Sequence, residues 1–283
     1  MAEDNAGPRA ADQGSHNLLL RVLAALVLAP LTIAIAYVGG WPWLWLVTAA
    51  AVVLYYEWQT IVGVWRNKFI MAAGIAALGI AGPWLMLGDM RAVAGVLGAG
   101  CVVLVLLTMR QPNAIWIVTG FLYAAAAFVG AVLVRADAAH GFVALIFVLL
   151  VVWAADIGGY FAGRGIGGPK LWPRVSPKKT WAGAIGGLVA SLLVGAGFAV
   201  AGQGNMATLL ALAAVLSVVS QLGDLFESAI KRRFGVKDSS QIIPGHGGLL
   251  DRLDGFVAAI ALAALIGAFR GGVDGAGRGL MVW

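Results

Sequence analysis

GFVALIFVLLVVWAADIGGYFAG, residues 141–163, runs for 23 residues with a single charged side chain, Asp156. A helix of about 20 apolar residues spans the hydrocarbon core of a bilayer, so this stretch reads as a transmembrane helix. Working outward, apolar runs of similar length recur at 18–38, 41–63, 69–88, 92–109, 113–134, 181–201, 206–223 and 255–269. The pattern predicts an all-α, polytopic integral membrane protein with about nine transmembrane helices.

Composition agrees. Of 283 residues, 61% are hydrophobic and 11% charged, where a water-soluble protein carries about a quarter charged. That excludes a disordered chain, a secreted disulfide scaffold and an ordinary globular enzyme. The 40 glycines fit close helix packing in lipid, and the lone Cys101 can form no intrachain disulfide. Residues 1–17, MAEDNAGPRAADQGSHN, are polar and carry both signs without the layout of a signal peptide, so they read as a flexible cytoplasmic tail. Residues 18–283 then form a single membrane-embedded domain.

If that tail is cytoplasmic, fifteen of the 19 lysines and arginines fall on the cytoplasmic side and four on the other. This bias places the N-terminus and the two charged loops, 164–180 and 224–254, inside, and an odd number of spans places the C-terminus outside. The net charge of +6 is therefore a matter of orientation, and nucleic acid is not needed as a partner. The amino-terminal half is plain; the chemistry lies after about residue 150.

Asp224, Glu227, Ser228 and Lys231 recur at i, i+3, i+4 and i+7 and share one helix face. Alone, they read equally as a solvated helix end or as a metal and phosphate face. Asp251, Arg252 and Asp254, immediately before the last span, favour the second reading, because two helix ends then present carboxylates at one membrane surface. Carboxylates beside cations suit Mg²⁺, which takes one or two protein carboxylates plus phosphate oxygens. Zinc is disfavoured by one cysteine and three scattered histidines. Of these, His246 lies in the glycine-rich run PGHGG and reads either as a phosphate contact or acid/base group, or as loop architecture.

In RGIGGPKLWPRVSPKKT, residues 164–180, Ser176 is positioned to cap the next helix and Pro177 to occupy its first turn. Lys178 and Lys179 then sit at a helix N-terminus, where the macrodipole disfavours cations and an anionic phosphate would relieve both. The alternative is a basic loop that sets topology. Asp156, an acid at membrane depth, reads as a functional residue that joins the metal site, pairs with a cation or relays protons; Glu57 reads as a structural hydrogen-bonding group. GRGIGG, residues 163–168, lacks the strand and βαβ context of a dinucleotide loop, and Gly183 and Gly187 read as a helix contact.

Residues 228–254, SAIKRRFGVKDSSQIIPGHGGLLDRLD, resemble the signature of the phosphatidate cytidylyltransferase (CDP-diacylglycerol synthase) family. Ser228, Lys231, Arg232, Lys237, Asp238, His246, Asp251, Arg252 and Asp254 fall at matching positions. The GD at 223–224, ADIGGYFAGR and SPKKTW also resemble family segments, although Ala182 stands where the family often has an acid.

The resemblance implies CMP transfer from CTP to phosphatidate in phospholipid biosynthesis, a homodimer, and Mg²⁺ held by Asp224 and Asp251, with room for a second metal ion. With that metal pair, Lys231 and Arg252 are the candidate catalytic cations, so the expected catalytic residues are Asp224, Asp251, Lys231 and Arg252. Substrate contacts would come from Ser176, Lys178, Lys179, Ser228, Arg232, Lys237, His246, Asp238, Asp254 and Asp156. The expected setting is a bacterial inner (cytoplasmic) membrane, with membrane lipids around the chain. Two rival classes remain: a transporter, motivated by Asp156 and Glu57, and a CDP-alcohol phosphotransferase, whose closely spaced aspartates are missing here.

Overall fold

The computed structural model describes residue 27, residues 29–240, residue 242 and residues 247–283. The expected tail at 1–17, about half of the first expected span (18–26 and 28) and His246 lie outside the described residues. The helices are α1 (Ala29–Val38), α2 (Gly40–Val62), α3 (Lys68–Met86), α4 (Met90–Thr108), α5 (Ala114–Ala136) and α6 (Gly141–Gly165). A hairpin of β1 (Lys170–Trp172) and β2 (Ser176–Thr180) follows, then α7 (Trp181–Val200), α8 (Met206–Arg233), α9 (Leu250–Gly271) and a short α10 (Ala276–Met281).

Among the described residues, seven helices, α3 to α9, are long and apolar enough to cross a membrane, and they coincide with the last seven expected spans. The chain is a multi-pass, all-α membrane protein. The two remaining expected spans correspond to α1, ten residues long as described, and α2. At 23 residues α2 has the length of a span, but its aromatic residues, Glu57 and Gln59 make it less apolar. The short α10, packed against α9, had no apolar run to announce it.

Burial sorts the helices. Helix α5, rich in alanine, packs against α2, α4, α6 and α9 and buries Phe121 and Phe128 completely. Its partner α2 buries Leu54, Tyr55 and Trp58, with the Trp58 indole donating to Trp116 O at 2.8 Å. By contrast, α4 buries only Val93, Gly100, Leu104 and Thr108, leaving the rest of its apolar surface outward, as expected of a lipid-facing helix. The α6–α7 pair forms the most extensive helix contact. Gly183 and Gly187 permit it: a Cβ on Gly187 would come within 2.6 Å of Ala155 O.

The 164–180 segment departs from expectation. Ser176 does not cap a helix and Pro177 does not begin one. Both lie in β2, which pairs antiparallel with β1 through Lys170 opposite Thr180 and Trp172 opposite Ser176. Proline holds the residue before it extended, and Thr180 provides a cap directly before the apolar run, its hydroxyl accepting from Gly183 N at 3.1 Å. Lys178 and Lys179 are therefore strand residues just outside the N-terminus of α7.

Candidate active site

Helices α8 and α9 approach closely where two glycines meet. A Cβ on Gly223 would lie 2.9 Å from Asp254 O, and one on Gly255 would lie 3.0 Å from Ser220 O. This contact brings the carboxylates flanking both glycines to one end of the bundle. Helix α8 continues unbroken to Arg233, so Asp224, Glu227, Ser228 and Lys231 share a face as their spacing predicts. Ser228 Oγ donates to Asp224 Oδ1 at 3.4 Å, one turn apart.

Lys231 joins the two helices. Its Nζ lies 2.7 Å from Glu227 Oε2 on its own helix and 2.7 Å from Asp251 Oδ1 on α9. Both ion pairs are largely withdrawn from solvent, the Lys231 side chain being 11% exposed and that of Glu227 1%. Neither Glu227 carboxylate oxygen has a hydrogen-bond partner of acceptable geometry among the described residues. A buried, under-coordinated carboxylate beside other acids is costly unless a cation or donor completes it.

Asp251 is held on several sides. Besides Lys231, its oxygens accept from Ser239 N at 3.0 Å, Ser239 Oγ at 2.9 Å and Gly248 N at 3.0 Å. Leu249, at the start of α9, has no side-chain oxygen with which to cap the helix. Glu57, fully buried on α2, supplies that function from across the fold, accepting from Leu249 N at 3.0 Å and Leu250 N at 2.6 Å. The same carboxylate takes the Ser240 hydroxyl at 2.5 Å and lies 3.2 Å from Ser239 Oγ. The sequence-based reading of Glu57 as a hydrogen-bonding group holds, with several partners instead of one. Gly248 leaves room for it: a Cβ there would stand 2.7 Å from Glu57 Oε1.

Lys179 reaches from β2 to form an ion pair with Asp224 Oδ2. Asp156, exposed on α6, stands close enough to feel the charges of Asp224 and Lys179, and Asp254 those of Asp224, Glu227 and Asp156. Five acids from three helices, Asp251 among them, thus share one electrostatic neighbourhood with Lys179 and Lys231. An aromatic cluster of Trp58, Tyr123 and Phe226 backs it, and the Tyr123 hydroxyl donates to Asp254 O at 3.0 Å.

Of the residues singled out in sequence, Asp156, Lys179, Asp224, Ser228, Lys231, Asp251 and Asp254 are brought together. Ser176 stays in the hairpin ladder, half-buried, with Lys178 exposed two residues on. Arg252 is exposed in the first turn of α9, while Arg232, Lys237 and Asp238 are exposed just beyond Lys231. Arg232 Nη1 donates to Val236 O at 3.3 Å. His246 lies outside the described residues. The contributions that sequence reasoning missed are those of Ser239 and Ser240, two ordinary serines whose role appears only when α2 is packed beside them, and of Tyr123.

The donors suit a hard divalent cation. They are carboxylate oxygens, among them those of buried Glu227, whose Oε2 is ion-paired with Lys231, and two lysines stand where positive charge is needed. Among the described residues no three metal-binding side chains converge, so these groups do not make a cage of protein ligands alone. Two carboxylates completed by phosphate oxygens and water match the habit of Mg²⁺.

Comparison with known proteins bears on this geometry. Residues 19–269 match the model of the cytidylyltransferase family. A phosphatidate cytidylyltransferase of Brucella suis biovar 1 (strain 1330) is 43% identical over 258 residues, covering 89% of this chain and 94% of the relative. One from Staphylococcus aureus (strain COL) is 32% identical over 260 residues, covering 87% and 98%. One from Haemophilus influenzae is 48% identical over 130 residues, covering 44% of this chain and 45% of the relative.

Proposed function

The chain belongs to the cytidylyltransferase family, and from that premise we propose that it transfers CMP from CTP to phosphatidate, forming CDP-diacylglycerol and pyrophosphate. A phosphate oxygen of phosphatidate attacks the α-phosphorus of CTP. The new P–O–P bond forms as the α–β anhydride breaks, and the electron pair leaves on pyrophosphate. The observation that carries this reading is the meeting of α8 and α9, where Lys231 is shared by Glu227 and Asp251 beside the Lys179–Asp224 pair.

The nucleophile is already anionic, so the site needs positioning and charge neutralisation more than a strong base. Asp224 and Asp251 would hold Mg²⁺, which when bound supplies Lewis-acid charge stabilisation at the phosphate oxygens. Lys179 and Lys231, now balanced against carboxylates, are the cations nearest the reacting groups and contact the phosphates as substrates enter. Arg252 joins them as a catalytic cation. Lys178, Arg232 and Lys237, exposed around that centre, attract the triphosphate and the lipid phosphate. Ser176 and Ser228 add hydroxyl contacts, Asp156, Asp238 and Asp254 orient the cations, and His246 contacts phosphate.

Residues 18–283 act as one membrane-embedded domain, a homodimer among the lipids of a bacterial inner membrane. The N-terminus and the site face the cytoplasm, a reading supported by the fifteen-to-four distribution of basic residues. The test is incubation of the purified chain with CTP, phosphatidate and Mg²⁺, with lipid-linked cytidylate and pyrophosphate measured together. Equal amounts of the two products support the reading; solute flux without either product favours transport.

A further inference from the structure

Ser239 occupies a position that its chemistry cannot satisfy in full. Its hydroxyl oxygen lies 2.9 Å from Asp251 Oδ2 and 3.2 Å from Glu57 Oε2, both hydrogen-bond distances. The hydroxyl has one proton, so it can donate to only one of the two carboxylates at a time. Ser239 is 4% exposed, so water does not readily make up the difference. Glu57 belongs to α2, 182 residues earlier in the chain, and is itself completely buried. Its other partners, Ser240 Oγ and the N–H groups of Leu249 and Leu250, fix the carboxylate in place whichever way the Ser239 proton points.

We propose that Glu57 is a positioning residue for the reaction, providing the alternative acceptor onto which the Ser239 hydroxyl turns so that Asp251 Oδ2, still held by two backbone N–H groups, exchanges its hydroxyl partner for a divalent cation. The inference rests on the assignment of Asp251 as a metal ligand. With Glu57 in place, rotation about one side-chain bond exchanges one hydrogen bond for another, and no buried donor is stranded. Without it, release of Asp251 would leave the Ser239 hydroxyl unpaired in the interior, a cost that weakens cation binding about tenfold or more. The backbone N–H groups of Ser239 and Gly248 continue to aim Asp251 during the exchange. Glu57 thereby couples the amino-terminal helices to a site built from the carboxyl-terminal ones.

The full chain in detergent provides the test, with Mn²⁺ as probe and its binding followed by electron paramagnetic resonance in the absence of CTP and lipid. The Mg²⁺ dependence of turnover is measured in parallel. Glu57→Gln keeps the shape but removes the charge and replaces one of the two acceptor oxygens with N–H₂, which weakens the acceptor set for the serine hydroxyls and the N-terminus of α9, so Mn²⁺ affinity should fall about tenfold, with a matching rise in the Mg²⁺ half-saturation. Ser239→Ala removes the competing donor and should bind Mn²⁺ more tightly than the wild-type chain. The double variant should recover most of the affinity lost in Glu57→Gln, a reversal that mere loosening of the fold would not produce.

Wild-type affinity in a folded Glu57→Gln variant overturns the proposal, as does a double variant no better than Glu57→Gln. If Glu57→Gln does not fold, Ser239→Ala decides alone, and unchanged or weaker Mn²⁺ binding counts against the proposal. A wild-type chain that turns over without binding Mn²⁺ overturns the underlying metal assignment and this proposal with it, a result distinct from unchanged affinity in the variant.

Discussion

Lys231 Nζ lies 2.7 Å from Asp251 Oδ1, across the junction of α8 and α9, while also lying 2.7 Å from Glu227. One ammonium thus holds together the ends of two helices that approach at Gly223 and Gly255. Removing the charge while keeping the length, as in Lys231→Met, leaves two adjacent carboxylates facing each other. Breaking a buried ion pair costs about 3 kcal/mol or more, so this variant should show a clearly lowered unfolding midpoint in detergent as well as lost turnover. An unchanged midpoint would mean that the pair does not hold the junction.

Asp251→Asn removes one negative oxygen at the proposed metal site while keeping the side-chain size. Metal-assisted charge stabilisation is worth several kcal/mol, so turnover should fall about a thousandfold in protein that still inserts and elutes as the wild type does. Near-normal CDP-diacylglycerol formation by that variant would remove Asp251 from the mechanism.

Lys178→Ala combined with Lys179→Ala takes two cations from β2, one of them the partner of Asp224. The expected result is a rise of about tenfold or more in the CTP or phosphatidate concentration needed for half-maximal rate, with a smaller effect on the maximal rate. Unchanged dependence on both substrates would reduce the lysines to markers of topology.

Gly255→Ala tests whether close approach of α8 and α9 sets the site. The added methyl would meet Ser220 O at 3.0 Å, a backbone atom that cannot move without shifting the helix. Overpacking of this kind costs about 1–3 kcal/mol, and the displaced carboxylates should lower turnover more than they lower expression. Full activity would show that the site tolerates a wider helix separation.

The membrane architecture was legible because lipid imposes one simple demand, an apolar run of spanning length, and α3 to α9 each meet it. The shared face of Asp224, Glu227, Ser228 and Lys231 was legible for a similar reason: helical periodicity is local. Where the outcome depended on distant partners, sequence was less informative. The 176–180 segment offers a plausible Ser-Pro helix start, and only pairing with β1 makes it a strand that ends on the Thr180 cap. Glu57 could be read as a hydrogen-bonding group, but its donors lie more than 180 residues away, and nothing in the spacing of Ser239 or Leu249 points back to α2.

The central claim is that this junction of acids and lysines transfers a cytidylyl group to a lipid phosphate. The most direct measurement supplies the purified chain with Mg²⁺, phosphatidate and CTP labelled at the α-phosphorus, then follows the label into lipid while pyrophosphate is counted. The account predicts label in CDP-diacylglycerol with one pyrophosphate released for each lipid formed, and loss of both in Asp251→Asn. Pyrophosphate release without labelled lipid, or labelled lipid formed equally by Asp251→Asn, would contradict it.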